Sequence, residues 1–245
     1  MQVSKYNASG NDFVIFHTFI EKDYAELAKE LCHRQEGVGA DGLIVLIPNS
    51  KADFRWLFYN SDGSHAAMCG NGTRACAHYA FTNGLANKNM TFLTDAGIIS
   101  SNVDGDVVES ELTKVKELAQ KFEENGREWY FYDTGVPHLV TEVKSLDEFS
   151  KELASSMRYK YNANVNFVLN DGKSLHVRTY ERGVEDETGA CGTGMAACFY
   201  SLYVEGKVKD SSKIYPISKE ELNLRITGGR LFFKGKVKKV FETNI

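Results

Sequence analysis

Apolar and β-branched residues cluster into short runs that mark strands at Phe13–Phe16, Leu43–Ile47, Phe54–Tyr59, Val165–Leu169 and Leu175–Tyr180. Between these runs the apolar spacing changes to the i, i+3/i+4, i+7 stripe of a helix with one buried face. Tyr24, Leu27, Ala28 and Leu31 form one such stripe, and Phe149, Leu153 and Met157 form another. Two further helices are expected, from Asn71 to Asn83, closed near Gly84, and from Gly194 to Glu205. Neither contains proline, and the first carries Ala75, Ala77, Tyr79 and Ala80.

The pattern repeats. Laying residues 1–122 over 123–245 brings similar segments into register, in the same order and at a nearly constant offset. Gly10-Asn11-Asp12-Phe13-Val14 falls on Gly135-Val136-Pro137-His138-Leu139, and Phe58-Tyr59-Asn60 falls on Thr179-Tyr180-Glu181. Met68-Cys69-Gly70-Asn71-Gly72 lies over Ala190-Cys191-Gly192-Thr193-Gly194, and Cys76 over Cys198. The turn at Asp104-Gly105 has its counterpart at Gly228-Gly229. Each half reads as strands, a helix, more strands, a second helix and a closing hairpin. The expected architecture is α+β, with two pseudo-symmetric halves and the active site in the cleft between them. Each half is a mixed, strongly curved sheet wrapped around a central helix. The halves are expected at 1–114 and 115–235, with 236–245 a final strand able to return to the first.

Composition narrows the function classes. Hydrophobic residues make up 42% and charged residues 25%, which is ordinary for a globular enzyme. A net charge of −4 gives no electrostatic reason to expect nucleic acid or an anionic membrane as partner. Met1 to Asp12 lacks the apolar core of a signal peptide, and the longest apolar run, Leu43–Ile47, is far too short to span a bilayer. A cytoplasmic protein is therefore expected. In that reducing setting an odd set of five cysteines does not suggest a disulfide framework. His65 and His78 lie near Cys69 and Cys76, but no Cys-x2-Cys knuckle accompanies them, so no metal is expected.

The chemistry gathers at the duplicated cysteine loops. In each half a cysteine precedes a Gly-x-Gly turn and then a helix. Glycine lets the backbone approach a ligand closely. The helix start adds unpaired N–H groups and partial positive charge, which suit a carboxylate and lower a thiol's pKa. One such loop fits an anion-binding turn as well as a cysteine nucleophile. Two, related by a repeat, suggest loops that face each other. Inversion of a stereocentre needs such a pair: one group removes the α-proton and its partner returns a proton to the opposite face. One thiolate and one thiol can then run the reaction in either direction. No dinucleotide fingerprint or P-loop is present, and nothing calls for a lysine-bound pyridoxal phosphate.

A fuller set of segments accompanies the two loops. It comprises Gly10-Asn11-Asp12-Phe13, Gly37-Val38-Gly39-Ala40-Asp41-Gly42, Phe58-Tyr59-Asn60-Ser61-Asp62-Gly63, Met68–Arg74, Pro137-His138, Tyr180-Glu181-Arg182-Gly183 and Glu187–Gly194. From Lys5 to about Gly194 the chain closely resembles the diaminopimelate epimerase family. That resemblance implies a cofactor-independent isomerase that interconverts LL-2,6-diaminopimelate and the meso form, supplying lysine and peptidoglycan precursors. It assigns Cys69 and Cys191 as the acid/base thiols, with His138 and Glu181 beside them setting their protonation. Gly70-Asn71 and Gly192-Thr193 would hold the carboxylate at the reacting carbon, while Asn11, Asn60, Asn164 and Arg182 would read the distal amino-acid end. A homodimer is also implied. The chain departs from the family pattern at Val136, where asparagine usually precedes Pro-His, at Gly189, where leucine is common, and at Asn7-Ala8, which replace His-Gly.

Plainer readings exist for many of these residues. Cys32, Cys76 and Cys198 fit the core, since free cysteine buries readily. His17, His33, His65, His78 and His176 fit surface or packing positions. Asn60 and Asn164 also suit turns or caps, and Arg74 and Arg182 could make surface pairs of little worth. Two other functions stay in view: a proline-type racemase on the same fold, and a non-catalytic binding or thiol-redox protein.

Overall fold

The apolar runs of the first half become strands buried on both faces, which is why Leu43–Ile47 shows no polar alternation. In a computed structural model, which describes all 245 residues, the chain divides into two units. The first comprises Met1–Glu111 and Lys234–Ile245, and the second Leu112–Phe233.

The first unit opens with β1 (Gln2–Ala8) and β2 (Asn11–His17), an antiparallel hairpin turned at Ser9 and Gly10. Both turn residues have positive φ, 56° and 83°, as a tight hairpin turn requires. Helix α1 (Ala25–Cys32) then crosses to β3 (Gly42–Ile47), parallel to β2, and β4 (Phe54–Asn60) returns antiparallel to β3. Helix α2 (Gly70–Thr82) crosses to β5 (Asn89–Thr94), parallel to β4. Strands β6 (Gly97–Asp104) and β7 (Val107–Glu111) complete a meander. The side-chain period of two sorts the core. Phe13, Ile15, Ile44, Leu46, Trp56 and Phe58 pack with Ala75, Cys76 and Ala80 of α2. Their neighbours Val14, Phe16, Leu43, Val45, Leu57 and Tyr59 pack with Ala28, Leu31 and Cys32 of α1.

The second unit repeats this path. Its elements are β8 (Lys116–Glu124), β9 (Arg127–Asp133), β10 (Pro137–Val143), a 3-10 turn at Leu146–Glu148, α3 (Lys151–Tyr161), β11 (Asn164–Asn170) and β12 (Ser174–Glu181). There follow a short β13 (Asp186–Thr188), α4 (Gly192–Val204), β14 (Ser211–Pro216), β15 (Leu222–Thr227) and β16 (Arg230–Lys236), whose last three residues already belong to the first unit. Strands β9 and β10 are antiparallel, β10 and β11 parallel, β11 and β12 antiparallel, β12 and β14 parallel, and β14 and β15 antiparallel. Each pairing has the sense of its counterpart in the first unit. The final strand β17 (Lys238–Asn244) runs antiparallel to β1, as β8 does to β9. The end of the chain thus supplies in the first unit the strand that β8 supplies in the second. The fold is a sheet-dominated α+β arrangement of two pseudo-symmetric halves.

Both central helices begin earlier than their sequence suggested, at Gly70 rather than Asn71 and at Gly192 rather than Gly194. Glycine has poor helix propensity, but the first helical N–H groups need no intrahelical partner, so glycine is tolerated there. The result places Cys69 and Cys191 at the N-cap position of two helices of equal length, 13 residues each. The charge run from Lys114 to Glu128 forms β8 and its turn, largely solvent-facing.

Candidate active site

In each unit the expected site residues lie at one end of the sheet, where β2 and β3 (or β10 and β11) begin and β4 (or β12) ends. In the first unit Gly42 pairs with both Phe13 and Asn60, which sets Asn60 across β3 from the start of β2, where Asn11 sits. Asn60 donates to Ser64 Oγ at 2.9 Å. Asn11 Oδ1 is buried and has no hydrogen-bond partner, an acceptor whose isolation is costly unless a ligand meets it.

Cys69 is half-buried, and its Sγ accepts the Gly72 N–H at 3.4 Å. The extended N-cap backbone, φ −148° and ψ 116°, turns the sulfur back over the first helical turn. Beneath it lies Arg74, which is 0% exposed and so is not the surface pairing residue its sequence context allowed. Its guanidinium donates to Asn71 Oδ1 at 2.6 Å, to Ser9 Oγ at 2.7 Å and to the Lys236 carbonyl at 3.3 Å. Because Arg74 occupies the amide oxygen, Asn71 is left with its NH2 as a donor. The same arginine ties the β1–β2 turn to the start of α2.

In the second unit His138 and Asn164 are partners at the head of β10 and β11. Asn164 is held by backbone, accepting the Arg182 N–H at 2.8 Å and donating to the Pro137 carbonyl at 3.2 Å. The Arg182 guanidinium donates to the Asn162 carbonyl at 2.8 Å. Cys191 is buried, with Sγ 3.6 Å from Thr193 Oγ1. Thr193 Oγ1 is 2.9 Å from His138 Nε2, and its carbonyl accepts from Thr134 Oγ1 at 2.8 Å. Burial drives the His138 pKa down to about 3, aided by the charge of Arg182 and opposed by a hydrogen bond from Asn166. Glu181 accepts from Thr188 Oγ1 at 2.7 Å. Burial raises its carboxyl above the ordinary range, and the Thr188 bond only partly offsets that.

Gly70 and Gly192 are the first residues of their helices, so their N–H groups belong to the set without intrahelical acceptors. The glycine two residues further on differs between the units. A Cβ on Gly72 would sit 3.3 Å from Cys69 Cβ and Trp56, a tight fit. A Cβ on Gly194 would overlap Asn166 Oδ1 and stand 3.3 Å from Thr179 Oγ1, both fully engaged beneath it. Gly194→Ala is therefore expected to destabilise by about 1–3 kcal/mol through overpacking. Gly72→Ala is expected to cost less, since the helix preference of alanine offsets a milder contact. Urea titration of the two variants reads the difference.

No group of three or more His, Cys, Asp or Glu side chains is placed to hold a metal ion. No helix is long and apolar enough to cross a membrane.

The family model for diaminopimelate epimerase matches residues 3–117 and 130–240. A protein named diaminopimelate epimerase from a Nitratiruptor species is 62% identical over 99% of this chain and 98% of its own length. A second of that name, from Campylobacter jejuni, is 56% identical over 100% of the chain and 98% of its own. The chain belongs to the diaminopimelate epimerase family. Solved structures share the fold at much lower identity. A probable proline racemase from Agrobacterium radiobacter matches with a TM-score of 0.76 at 14% identity, covering 100% of this chain and 92% of that one. A hydroxyproline epimerase from Agrobacterium vitis matches at 0.75 and 16%, covering 99% and 91%. Around this candidate site, sequence reasoning left four residues without a role. Arg74 closes the Met68–Arg74 segment but was equally open to a surface pair, and Thr134, Asn166 and Thr179 carried no motif. The available signal for the last two was a polar side chain at an inward strand position, where the matching positions of β3 and β4 hold Ile44 and Phe58.

Proposed function

We propose that this protein epimerises LL-2,6-diaminopimelate to the meso form by a two-thiol mechanism without an organic cofactor or metal. The observation that carries the proposal is the pair of N-cap cysteines at equivalent ends of two repeated units, in a chain of this family. One thiolate takes the α-proton and the thiol on the other face returns one, so the pair ends with its protonation states exchanged. The carbanion is the costly species, and preorganised donors stabilise it. The N–H groups at Gly70-Asn71 and Gly192-Thr193, the Asn71 amide and the two helix dipoles supply such donors for the α-carboxylate. Asn11, with its unmatched buried oxygen, Asn60 and Asn164 suit the distal ammonium and carboxylate, and Arg182 suits bidentate carboxylate binding. Val136 leaves that end without the usual asparagine. His138 and Glu181 tune the thiols. We further propose that the enzyme acts in the cytoplasm as a homodimer, within lysine and peptidoglycan precursor synthesis.

The test is incubation of the reduced protein with LL-diaminopimelate, and in parallel with L-proline, followed by chiral chromatography. Formation of the meso isomer with no D-proline is expected. The reverse would move the substrate to the proline class and sink the distal-site assignments.

The raised carboxyl of Glu181 gives a pH signature. As pH falls, Glu181 takes a proton before an exposed glutamate with its pKa of about 4.3 would. The acid limb of kcat/KM is thus expected above the ordinary carboxylate range, and Glu181→Gln should remove that limb while lowering activity. The stability sign is opposite. A group with a raised folded-state pKa stabilises below its unfolded value, and that contribution is lost as pH rises through the folded value. At neutral pH the ionised side chain is a burden, so Glu181→Gln should raise Tm there and lose its advantage in acid.

A further inference from the structure

Beneath the start of α4 a line of hydrogen bonds leads from the sheet to Cys191. Thr179 Oγ1 donates to Asn166 Oδ1 at 2.9 Å. Asn166 Nδ2 lies 2.8 Å from the Leu139 carbonyl and 3.1 Å from His138 Nδ1. His138 Nε2 reaches Thr193 Oγ1 at 2.9 Å, and that hydroxyl lies 3.6 Å from Cys191 Sγ. His138 and Asn166 are completely buried, and Thr179 nearly so.

The partners fix the direction of each bond as far as Thr193. A carbonyl oxygen only accepts, so the Asn166 atom facing Leu139 is the amide nitrogen. Its two hydrogens serve Leu139 and His138, which makes His138 Nδ1 an acceptor. A neutral imidazole carries one N–H, so here it stands on Nε2 and donates to Thr193. The depressed pKa of His138 keeps the ring neutral across the working range. Thr193 Oγ1, accepting from His138, keeps its own hydrogen available to the Cys191 sulfur 3.6 Å away.

The first unit has no such line. By strand register, the places of His138, Asn166 and Thr179 are taken by Phe13, Ile44 and Phe58, all in the α2 core. Asn71 stands where Thr193 does. Two units that share their topology thus treat their cysteines differently at this layer. A buried polar network in place of an apolar core is expensive unless every member is satisfied, and each polar atom named along this line has a partner.

We infer that Asn166 is a positioning residue for the proton chemistry: it locks His138 as the Nε2–H tautomer, so that a one-way chain of donors ends on Cys191 and makes that sulfur the thiolate of the resting pair. The inference rests on the two-thiol reading. It assigns Asn166 and Thr179 a task at which their side chains never touch substrate.

The first measurement needs no variant. Long-range proton–nitrogen NMR of 15N-histidine-labelled protein should show His138 protonated at Nε2 and bare at Nδ1. Site-resolved alkylation by iodoacetamide, read by mass spectrometry at neutral pH, then compares Cys191 with Cys69 in the same sample. Losing the Thr193 donor lowers the thiolate fraction more than it raises the nucleophilicity of what remains. Thr193→Val should therefore slow Cys191 alkylation roughly tenfold, the order expected for a hydrogen bond to a charged group. The Cys69 rate and the His138 tautomer should not move. Asn166→Leu should populate the Nδ1–H form, slow Cys191 alone, and lower kcat with little change in KM. A wild-type ring protonated at Nδ1, or Cys191 rates unchanged in both variants, would overturn the inference. Failure to turn over diaminopimelate while the tautomer and the Cys191 rates behave as expected would instead remove the substrate assignment and leave the donor chain standing.

Discussion

Replacing Cys191 with alanine is expected to lower epimerisation by roughly 10³-fold or more, because the single step needs an acid and a base on opposite faces and neither replaces the other. Cys69→Ala should be as severe. The fold should survive both. Cys69 caps α2 by accepting the Gly72 N–H at 3.4 Å, and losing an N-cap typically costs only about 1 kcal/mol. Serine sharpens the separation, since it is a preferred N-cap residue but a far weaker acid than a thiol. Cys69→Ser should therefore unfold at a temperature equal to or above wild type while remaining inactive. Activity within tenfold of wild type in any of these variants would remove the two-thiol mechanism, and parallel circular dichroism melts would show that the protein had stayed folded.

Arg74→Met is expected to give the largest loss of stability at the site, about 2–4 kcal/mol, although methionine retains most of the volume. The guanidinium is wholly buried and satisfies the Asn71 amide, the Ser9 hydroxyl and the Lys236 carbonyl. Truncation strands the buried Asn71 amide oxygen, at a cost of roughly 1–3 kcal/mol, and removes the bonds to the part-buried Ser9 hydroxyl and Lys236 carbonyl. Asn71, freed from its tether, would also lose the orientation that presents its NH2 as a donor. KM should rise together with the fall in denaturation midpoint. A variant as stable as wild type with unchanged KM would show that Arg74 neither supports the turn nor orients Asn71.

The fold was largely legible because the chain says it twice. The cysteine loops, the strand runs and the two hairpin turns recur in order, and a repeat whose halves agree is far stronger than any single segment. The double burial of β3 could be read from its unbroken apolar run. The start of each central helix could not be read from propensity, because Gly70 and Gly192 sit where packing and free N–H groups outweigh it. The burial of Arg74 was hidden for a related reason. Its three acceptors come from its own helix turn, from the first hairpin and from the far end of the chain, and no local pattern announces such a convergence. Asn166 and Thr179 hide in strands whose alternation predicts apolar side chains. Only the comparison with Ile44 and Phe58 marks them. The candidate residues named by the repeat, Cys69 and Cys191, needed no family knowledge. Asn11, Asn60, Asn164 and Arg182 did, because single asparagines at strand ends serve turns equally well, and Asn164 is indeed held by backbone at both ends of its amide.

The most direct measurement of the central claim is the early time course of LL-diaminopimelate turnover in D2O, with isotope content read separately in substrate and product. Two thiols on opposite faces predict that the newly formed meso isomer carries deuterium at its inverted carbon from the first turnover. The LL isomer still present should remain almost unlabelled, because the thiol that returns a proton to product is not the one that took it from substrate. Deuterium entering unreacted LL-diaminopimelate as fast as product forms, or protium retained in the product, would mean that a single base serves both faces and would contradict the paired roles of Cys69 and Cys191.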